Sequence, residues 1–251
     1  MIDVHCHLEQ KDYDKDRDEV IGRCEQELDA VITSCAAPRD FELTMELVKR
    51  YKNFVFATVG VHPEYIKEIG RDEISEFLET VKKSKDSIVG IGEIGLDYWW
   101  TKESEWQAKQ RELFAELIRF AEKLKKPIVV HSRDAHEDTI RILEEEGAKD
   151  VNMHMFGANN LAKRVVDNGW LVSLNTIVLR SKKHKKVARD VPIEKLMLET
   201  DAPWLSTKGG RNEPTAVTEV AVEIAKIKKM DVGDVKEITA RNAVRFFSLG
   251  I

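Results

Sequence analysis

Eight short apolar runs, separated by amphipathic segments, recur from one end of this 251-residue chain to the other. Valine, isoleucine and leucine fill these runs almost without interruption, which is typical of parallel strands buried on both faces. The predicted strands are Ile2–His5, Ala30–Cys35, Phe54–Val61, Ile88–Ile94, Pro127–His131, Val151–His154, Trp170–Leu174 and Lys195–Glu199. This pattern constrains the fold more than any other feature of the chain.

Helical patterns occupy the intervals between these strands. They lie near 16–28, 40–52, 72–84, 104–124, 135–147, 158–168, 181–189, 213–230 and 234–248. Eight strands, each followed by a helix, predict an α/β fold with one domain, a closed (β/α)8 TIM barrel that covers residues 1–251. An open doubly wound sheet is the alternative, but no Gly-x-Gly-x-x-Gly follows the first strand. Ser104 and Gln107 predict a capping box at the start of the fourth helix.

Polar residues that can bind metal end or interrupt six of these strand-like segments. They are His5, His7, His62, Glu93, His131, His154 and Asp201. A buried imidazole or carboxylate is costly unless it is paired or bound to a metal. Because the C-terminal ends of barrel strands converge on one rim, we expect residues from strands 1, 3, 4, 5, 6 and 8 to meet in one pocket.

The same residues predict a metal centre with two divalent ions. His5 and His7 are expected on one side of their strand, since side chains alternate with period two. Four histidines and two carboxylates exceed what one open catalytic metal needs. Mixed nitrogen and oxygen ligands suit Zn, Mn or Fe and also admit Mg. Two metals ~3.5–4 Å apart need a shared ligand, for which Glu93 is the candidate, and Asp201 is the candidate general base.

Several nearby residues have more than one interpretation. His62, in a His-Pro sequence, is a candidate substrate contact, and it is also compatible with a metal ligand, an outer partner of the site or a loop residue. Asp97 and Glu199 are either partners of the ligands or ordinary loop residues. His136 and His184 lie on helical segments and are expected to face solvent.

Candidate substrate contacts follow the same strand ends. Arg133 and Arg211 are candidate phosphate clamps, because guanidinium can bind phosphate through two hydrogen bonds. A structural ion pair is the alternative for each arginine. Aromatic residues on this rim could stack nucleobases, although packing under a loop is the commoner explanation. These aromatic residues are Tyr98, Trp99, Trp100 and Trp204.

The charge pattern leaves open an enzyme that contacts a few nucleotides. The formal net charge of −5 argues against a protein that coats DNA through a basic surface. One basic run, 180–186, lies after strand 7 on the expected active-site side. It could steer an acidic substrate, and a solvated helix start explains it equally well.

The cysteines and the termini bear on the compartment. Cys6, Cys24 and Cys35 are odd in number and have no framework spacing, which favours reduced thiols and a cytoplasmic protein. We expect no signal peptide and no membrane span. No obligate protein partner is evident.

Seven short segments, in order between residues 3 and 214, match one family. They read D-V-H-C-H, G-V-H-P, G-E-I-G-L-D-Y, P-I-V-V-H-S-R-D-A, H-M-F-G-A, L-E-T-D-A-P-W-L and R-N-E-P. Together they resemble the TatD family of metal-dependent deoxyribonucleases, within the amidohydrolase-like barrels. The resemblance implies a TIM barrel with two metals and phosphodiester hydrolysis, typically by a 3′ to 5′ exonuclease on DNA, with single strands or 3′ ends as the substrate.

The resemblance also implies a ligand set. One metal would be held by His5, His7, Glu93 and Asp201, and the other by Glu93, His131 and His154. One segment departs from the family pattern, which usually has H-C-F-[ST]-G where this chain has H-M-F-G-A at 154–158. The departure affects the expected substrate contacts of this loop, while the histidine is retained.

Three other functions fit parts of the pattern. The same metals and base could cleave a C–N or ester bond in a small molecule or an aminoacyl-nucleic acid, because fold and metal do not fix the substrate. A metal-dependent scaffold would need neither an open metal site nor Asp201. Phosphoesterases related to histidinol phosphatase also begin with His-x-His, but the E-T-D-A-P and G-E-I-G-L-D segments fit them poorly.

Overall fold

The computed structural model describes all residues from 1 to 251, and its eight strands form one parallel sheet. The strands are β1 (Ile2–Cys6), β2 (Ala30–Cys35), β3 (Val55–Val59), β4 (Gly90–Asp97), β5 (Ile128–Arg133), β6 (Val151–Met153), β7 (Leu171–Leu174) and β8 (Leu196–Leu198). They are ordered from β1 to β8 around the sheet.

Nine helices surround the sheet, and each of the first eight follows the strand of the same number. They are α1 (Arg17–Glu27), α2 (Phe41–Arg50), α3 (Arg71–Lys83), α4 (Ser104–Leu124), α5 (His136–Glu145), α6 (Ala162–Asp167), α7 (Lys182–Asp190), α8 (Val217–Lys228) and α9 (Val232–Phe247). Short 3-10 turns fill several connections. None of these helices combines the length and the apolar character needed to cross a bilayer.

Hydrogen bonds between β1 and the segment after β8 bring the two ends of the sheet together. The His5 carbonyl accepts the Asp201 N–H at 2.9 Å, and His7 N–H donates to the Ala202 carbonyl at 2.7 Å. The buried Asp3 carboxylate accepts the Thr200 hydroxyl at 2.6 Å and the Thr200 N–H at 3.0 Å. The predicted (β/α)8 TIM barrel is thereby confirmed.

The helix α9 covers the N-terminal end of the barrel. Phe247 and Ala243, on α9, are buried against Ile2 and Ala30, which begin β1 and β2, and against Val129. The N-terminal end of the barrel is thus closed by apolar side chains. The candidate metal-binding residues lie at the opposite, C-terminal end, where barrel enzymes place their active sites.

Two expectations about local structure were inaccurate. The fourth strand was expected at Ile88–Ile94 and lies at Gly90–Asp97, so Glu93 sits in mid-strand and Asp97 at the end. The capping box was wrong, because Ser104 is already the first helical residue and the cap position belongs to Glu103, which makes no side-chain cap bond. The Gln107 side chain instead donates to the Thr101 carbonyl at 2.9 Å.

Candidate metal centre

The polar strand ends open into one cavity of about 540 Å³ at the C-terminal end of the barrel. Its lining contains most of the expected site residues, namely His7, His62, Glu93, His131, Arg133, His154, Asp201 and Trp204. His5 lies just beneath them and is completely buried. Barrel closure therefore gathers side chains that are as much as 196 positions apart in sequence, from His5 to Asp201.

Glu93 is the central carboxylate of this cluster. Its Oε1 lies 2.8 Å from His131 Nδ1, 3.6 Å from His62 Nε2 and 3.7 Å from His154 Nε2. Its Oε2 lies 3.3 Å from His5 Nε2. Four imidazoles from four different strand ends thus converge on one carboxylate, as a shared ligand requires.

A glycine lets β4 and β5 approach closely enough for this geometry. A Cβ atom built on Gly95 would lie 2.0 Å from the His131 carbonyl oxygen, and the φ of Gly95 is +146°. Only glycine tolerates both the contact and this backbone conformation. The G-E-I-G sequence is therefore needed to bring Glu93 next to His131.

His5, His7 and Asp201 form a second part of the cluster. His5 Nε2 and His7 Nε2 are 3.1 Å apart, so the two imidazoles do face the same side of the chain. Asp201 Oδ1 lies 3.5 Å from His7 Nε2 and 3.8 Å from His5 Nε2. The Asp201 side chain is 14% exposed and lines the cavity.

Glu9 is a functional residue that the sequence interpretation missed. Its Oε1 lies 3.3 Å from His7 Nδ1, and its Oε2 accepts the Thr33 hydroxyl at 2.6 Å. His7 Nδ1 is also 2.9 Å from the Ser34 carbonyl oxygen. These acceptors orient the His7 ring and direct Nε2 to the cavity. The signal was a glutamate two residues after the His-x-His pair.

Asp97 and Glu199 are partners of the histidines rather than ordinary loop residues. Asp97 Oδ2 lies 2.9 Å from His131 Nε2. Glu199 Oε2 lies 3.0 Å from His154 Nδ1, while its Oε1 accepts the Met155 N–H at 2.9 Å. Both oxygens of Glu199 are thus engaged in orienting the loop that carries His154.

Replacing Glu199 by glutamine should weaken metal binding about 10- to 100-fold, which is typical for the loss of an outer partner of a ligand. His154 Nδ1–H and the Met155 N–H both need an acceptor, and an amide offers only one acceptor oxygen. Calorimetric titration of metal-stripped protein with Zn or Mn measures the affinity. The exposed Glu194→Gln serves as the matched control, and equal affinities for both variants would contradict the orienting role.

His62 has its proton on the nitrogen that faces the cavity. Its Nδ1 accepts the Glu64 N–H at 3.2 Å at the start of a 3-10 turn. Burial and the neighbouring His131 lower the pKa of His62 to about 3, so the ring is neutral. A neutral imidazole whose Nδ1 accepts must carry its hydrogen on Nε2. His62 is therefore a hydrogen-bond donor toward the cavity in this arrangement.

Among the other buried groups, the pKa values of His131 and His154 are raised and that of Glu93 is lowered. Burial opposes protonation of His131, but the hydrogen bonds that its ring donates to Asp97 and Glu93 raise its pKa to about 9. Burial likewise opposes protonation of His154, but the charges of Glu199 and Glu93 raise its pKa to about 10. Burial would raise the pKa of Glu93, and the surrounding imidazoles lower it well below its usual value. A metal that binds here displaces protons from imidazoles.

These donors fit a divalent metal. His5, His7 and Glu93 place their ligand atoms within 4.8 Å of one another, and Glu93 Oε1 also lies 2.8 Å from His131 Nδ1 and 3.7 Å from His154 Nε2. Imidazole and carboxylate together are the ligands of Zn, Mn and Fe sites. His5 Nδ1 is buried without a hydrogen-bond partner. A bound cation would offset the free-energy cost of burying these polar atoms together.

The two candidate arginines have different surroundings. Arg133 lines the cavity, and its guanidinium packs on Trp99 and Trp100 with no salt-bridge partner. Arg211 instead donates to both carboxylate oxygens of Asp16 at 2.6 Å and is not among the residues that line the cavity. The ion-pair interpretation therefore describes Arg211.

Two of the four candidate aromatic contacts, Trp204 and Tyr98, also differ in their surroundings. Trp204 lines the cavity, with its ring centroid 4.6 Å from that of His7. The Tyr98 hydroxyl lies outside the cavity lining, donates to Asp138 Oδ2 at 2.7 Å and accepts from Arg111 at 2.9 Å. The structure thus gives Tyr98 a packing role under α5.

The expectation that His136 and His184 face solvent was wrong, because both are partly buried. The His136 ring contacts Phe156 at 5.7 Å between centroids. The His184 ring fills the space beside Gly157, where an added Cβ would lie 2.8 Å from His184 Nε2. Gly157 in the unusual H-M-F-G-A loop therefore leaves room for the His184 ring of α7.

Comparisons with known proteins place these features among metal-dependent hydrolases. A family model described as TatD related DNase matches residues 2–248. An uncharacterized metal-dependent hydrolase from Methanocaldococcus jannaschii is 37% identical over 98% of this chain and 96% of its own length. A human protein named Deoxyribonuclease TATDN3 is 33% identical over 98% of this chain and 94% of its own length. The crystal structure of a TatD homolog from Escherichia coli superposes with a TM-score of 0.90 at 24% identity, covering 99% of this chain and 98% of that one.

Proposed function

This chain belongs to the TatD related DNase family of metal-dependent hydrolases, and we propose that it hydrolyses phosphodiester bonds of DNA as a 3′ to 5′ exonuclease. The observation that carries the proposal is one cavity that combines a carboxylate–imidazole cluster with an arginine free of carboxylate partners. The first suits metals, and the second suits a phosphate.

Two divalent ions, Mg, Mn or Zn, would be held by two groups of side chains that share Glu93. One group is His5, His7, Glu93 and Asp201, and the other is Glu93, His131 and His154. When bound, such ions lower the pKa of water and offset charge on the phosphate. Because His62 Nε2 carries a hydrogen, His62 is better suited to donate a hydrogen bond to the substrate than to bind a metal directly.

Asp201 acts as the general base. It is the carboxylate of the cluster that is most open to the cavity, at 14% exposure against 5% for Glu93. Burial would raise its pKa, but the hydrogen bond from His7 and the charges of His154 and His5 lower it, so the carboxylate is ionised at neutral pH. Asp201 can therefore accept the proton of the water that attacks phosphorus.

Arg133 and His62 bind the scissile phosphate from the cavity wall. The guanidinium offers several N–H donors, and the planar fork matches two phosphate oxygens. Trp99 and Trp100 fix its plane, at 5.0 and 5.7 Å from their ring centroids. His62 adds a neutral donor, Nε2–H, from the side of β3. Trp204 provides an apolar surface next to the same phosphate site.

Replacing Arg133 by alanine should lower kcat/KM about 10- to 100-fold, mostly through KM, since one charged hydrogen bond contributes about 1.5–3 kcal/mol. Arg133→Lys should recover part of the loss, because it keeps the charge without the fork. Steady-state cleavage of a short oligonucleotide measures this. Arg211→Ala is the matched control, and an equal rise of KM in both variants would argue against a specific clamp.

The basic run 180–186 is the candidate for steering. Lys182, Lys183 and Lys186 are exposed, whereas Lys185 pairs with Glu223 at 2.6 Å. His184, within this run, contacts Gly157 of the 154–158 loop, which adjoins the cavity.

Changing the three exposed lysines of this run to alanine should weaken DNA binding and reduce the slope of log K against log salt by up to about 2–3 units. Fluorescence anisotropy at several salt concentrations measures the slope. A slope equal to that of the unchanged protein would make the run an ordinary solvated helix start.

The decisive test of function is hydrolysis by metal-stripped protein reloaded separately with Mg, Mn and Zn. We expect release of mononucleotides from the 3′ end of a 5′-labelled oligonucleotide, faster from a single strand than from a blunt duplex. Failure of the folded protein to cleave DNA with any of these metals would instead favour a C–N or ester substrate.

The three cysteines are buried free thiols, which a reducing compartment permits. We accordingly assign the protein to the cytoplasm and treat residues 1–251 as one catalytic domain that acts without an obligate protein partner.

A further inference from the structure

The large apolar side chains that are exposed in this protein concentrate at the mouth of the cavity. Trp99, Trp100 and Trp204 are 48%, 58% and 46% exposed, and outside this rim only Val222 and Ile251 are comparable. Clustered apolar exposure on a soluble protein marks a binding surface, whereas single exposed residues are ordinary. The metal cluster itself does not account for these three side chains.

Trp100 is held in a fixed position relative to the site. Asp97 Oδ1 accepts the N–H groups of both Trp99 and Trp100 at 2.8 Å, while Asp97 Oδ2 contacts His131. The buried Gln110 of α4 donates to the Asp97 carbonyl and to the Thr101 hydroxyl. One carboxylate therefore ties the backbone of the tryptophan loop to a metal-site histidine.

Trp204 is fixed in a similar way on the other side. Its N–H donates to the Asp201 carbonyl at 3.0 Å, and its ring lies beside His7. Trp100 follows β4 and Trp204 follows β8, and these strands are four positions apart in either direction around the barrel. The two rings therefore stand on opposite sides of the cavity with the metal cluster between them.

Trp99 differs from this pair. Its ring is covered by Arg133 and by Lys102, whose Nζ lies 5.0 Å from the centroid, and it does not line the cavity. Arg133 contacts both Trp99 and Trp100, but of the three tryptophans only Trp100 and Trp204 line the cavity, where they can meet a ligand.

We propose that Trp100 and Trp204 stack the two bases that flank the scissile phosphate, one on each side, and that they thereby select unpaired nucleotides on both sides of the bond. The inference rests on the proposed function. A phosphate at the Glu93 cluster and Arg133 lies between the two rings, so a strand that crosses the cavity presents one base to each. Paired bases in a duplex have their faces covered by neighbouring base pairs and cannot stack in this way.

The test combines two variants with two abasic substrates. Each substrate is a single-stranded oligothymidylate from which one base is missing, either that of the 3′-terminal nucleotide or that of the penultimate nucleotide. The last phosphodiester therefore has a base on only one of its two sides. Removal of either base should lower kcat/KM of the unchanged protein about 5- to 150-fold. In the variant Trp100→Leu, removal of one of these two bases should no longer lower kcat/KM. In the variant Trp204→Leu, removal of the other base should no longer lower it.

Controls separate stacking from damage to the fold. Trp106→Leu changes a tryptophan of α4 that is covered by Lys109 and lies outside the cavity lining, and it should respond to both removals as the unchanged protein does. Trp100→Phe and Trp204→Phe should restore most of the sensitivity, because phenylalanine still stacks.

The outcomes distinguish this inference from the proposed function. Cleavage of DNA with neither base removal having an effect, or with both tryptophans responding to the same base, would overturn the stacking assignment and leave the nuclease activity in place. Absence of cleavage by the unchanged protein would overturn both.

Discussion

The variant Asp201→Asn should retain its metals and lose about 10²- to 10⁴-fold in kcat, the range typical of losing a general base. Asparagine has nearly the shape of aspartate, so the His7 contact at 3.5 Å and the backbone bonds that close the barrel can persist. What is lost is the lone pair of an ionised carboxylate that accepts the proton. Single-turnover cleavage of single-stranded DNA at saturating metal measures the effect.

Two further measurements make the Asp201 result specific. Metal content after gel filtration should stay within about half an ion of the unchanged protein if His5, His7 and Glu93 suffice as ligands. The rate of the unchanged protein should fall as the pH drops toward the lowered pKa of Asp201, because protonation disables a base, and the variant should lack this dependence. A kcat within tenfold of normal would exclude Asp201 as the base.

The variant Glu93→Gln should lose both metals together, with a weakening well beyond the roughly 100-fold that changes in outer partners cause. Glu93 contacts imidazoles from β1, β5 and the segments after β3 and β6, so no other residue can replace it as a shared ligand. Elemental analysis of dialysed protein measures the stoichiometry. DNA cleavage should fall below detection at metal concentrations that saturate the unchanged protein.

The matched control for Glu93 is Glu64→Gln. Glu64 lines the same cavity, but its side chain is 46% exposed and its carboxylate lies 3.8 Å from His62 Nδ1. This variant should bind metals normally. Loss of only one ion in Glu93→Gln would show that the carboxylate serves one metal instead of bridging two.

Much of the fold could be predicted because its signals are local. Apolar runs of β-branched residues mark doubly buried strands, and eight repeats of strand and helix fit a closed barrel. Strand boundaries were less accurate, since hydrogen bonding across β4 and β5 extends β4 to Asp97 beyond the apolar run. The predicted capping box is wrong for a related reason, because the Gln107 side chain donates a hydrogen bond to the Thr101 carbonyl in the preceding loop.

The roles of individual polar residues were less predictable. Arg133 and Arg211 look alike in sequence, and only their neighbours distinguish a free guanidinium on two indole rings from one neutralised by Asp16. Glu199 gave little signal, because its partners His154 and Met155 come from another part of the chain. Glu9 lies two residues after His7, but its contact with Thr33 on β2 is visible only in the structure.

The sequence by itself determined the barrel and most of the residues that reach its C-terminal rim, since side-chain periodicity and apolar runs depend on neighbours along the chain. Only the tertiary structure decided which atoms meet there. The Glu93 contacts and the opposed positions of Trp100 and Trp204 depend on distances between segments far apart in sequence. Closure of the barrel and packing of its loops set those distances, and no local pattern encodes them.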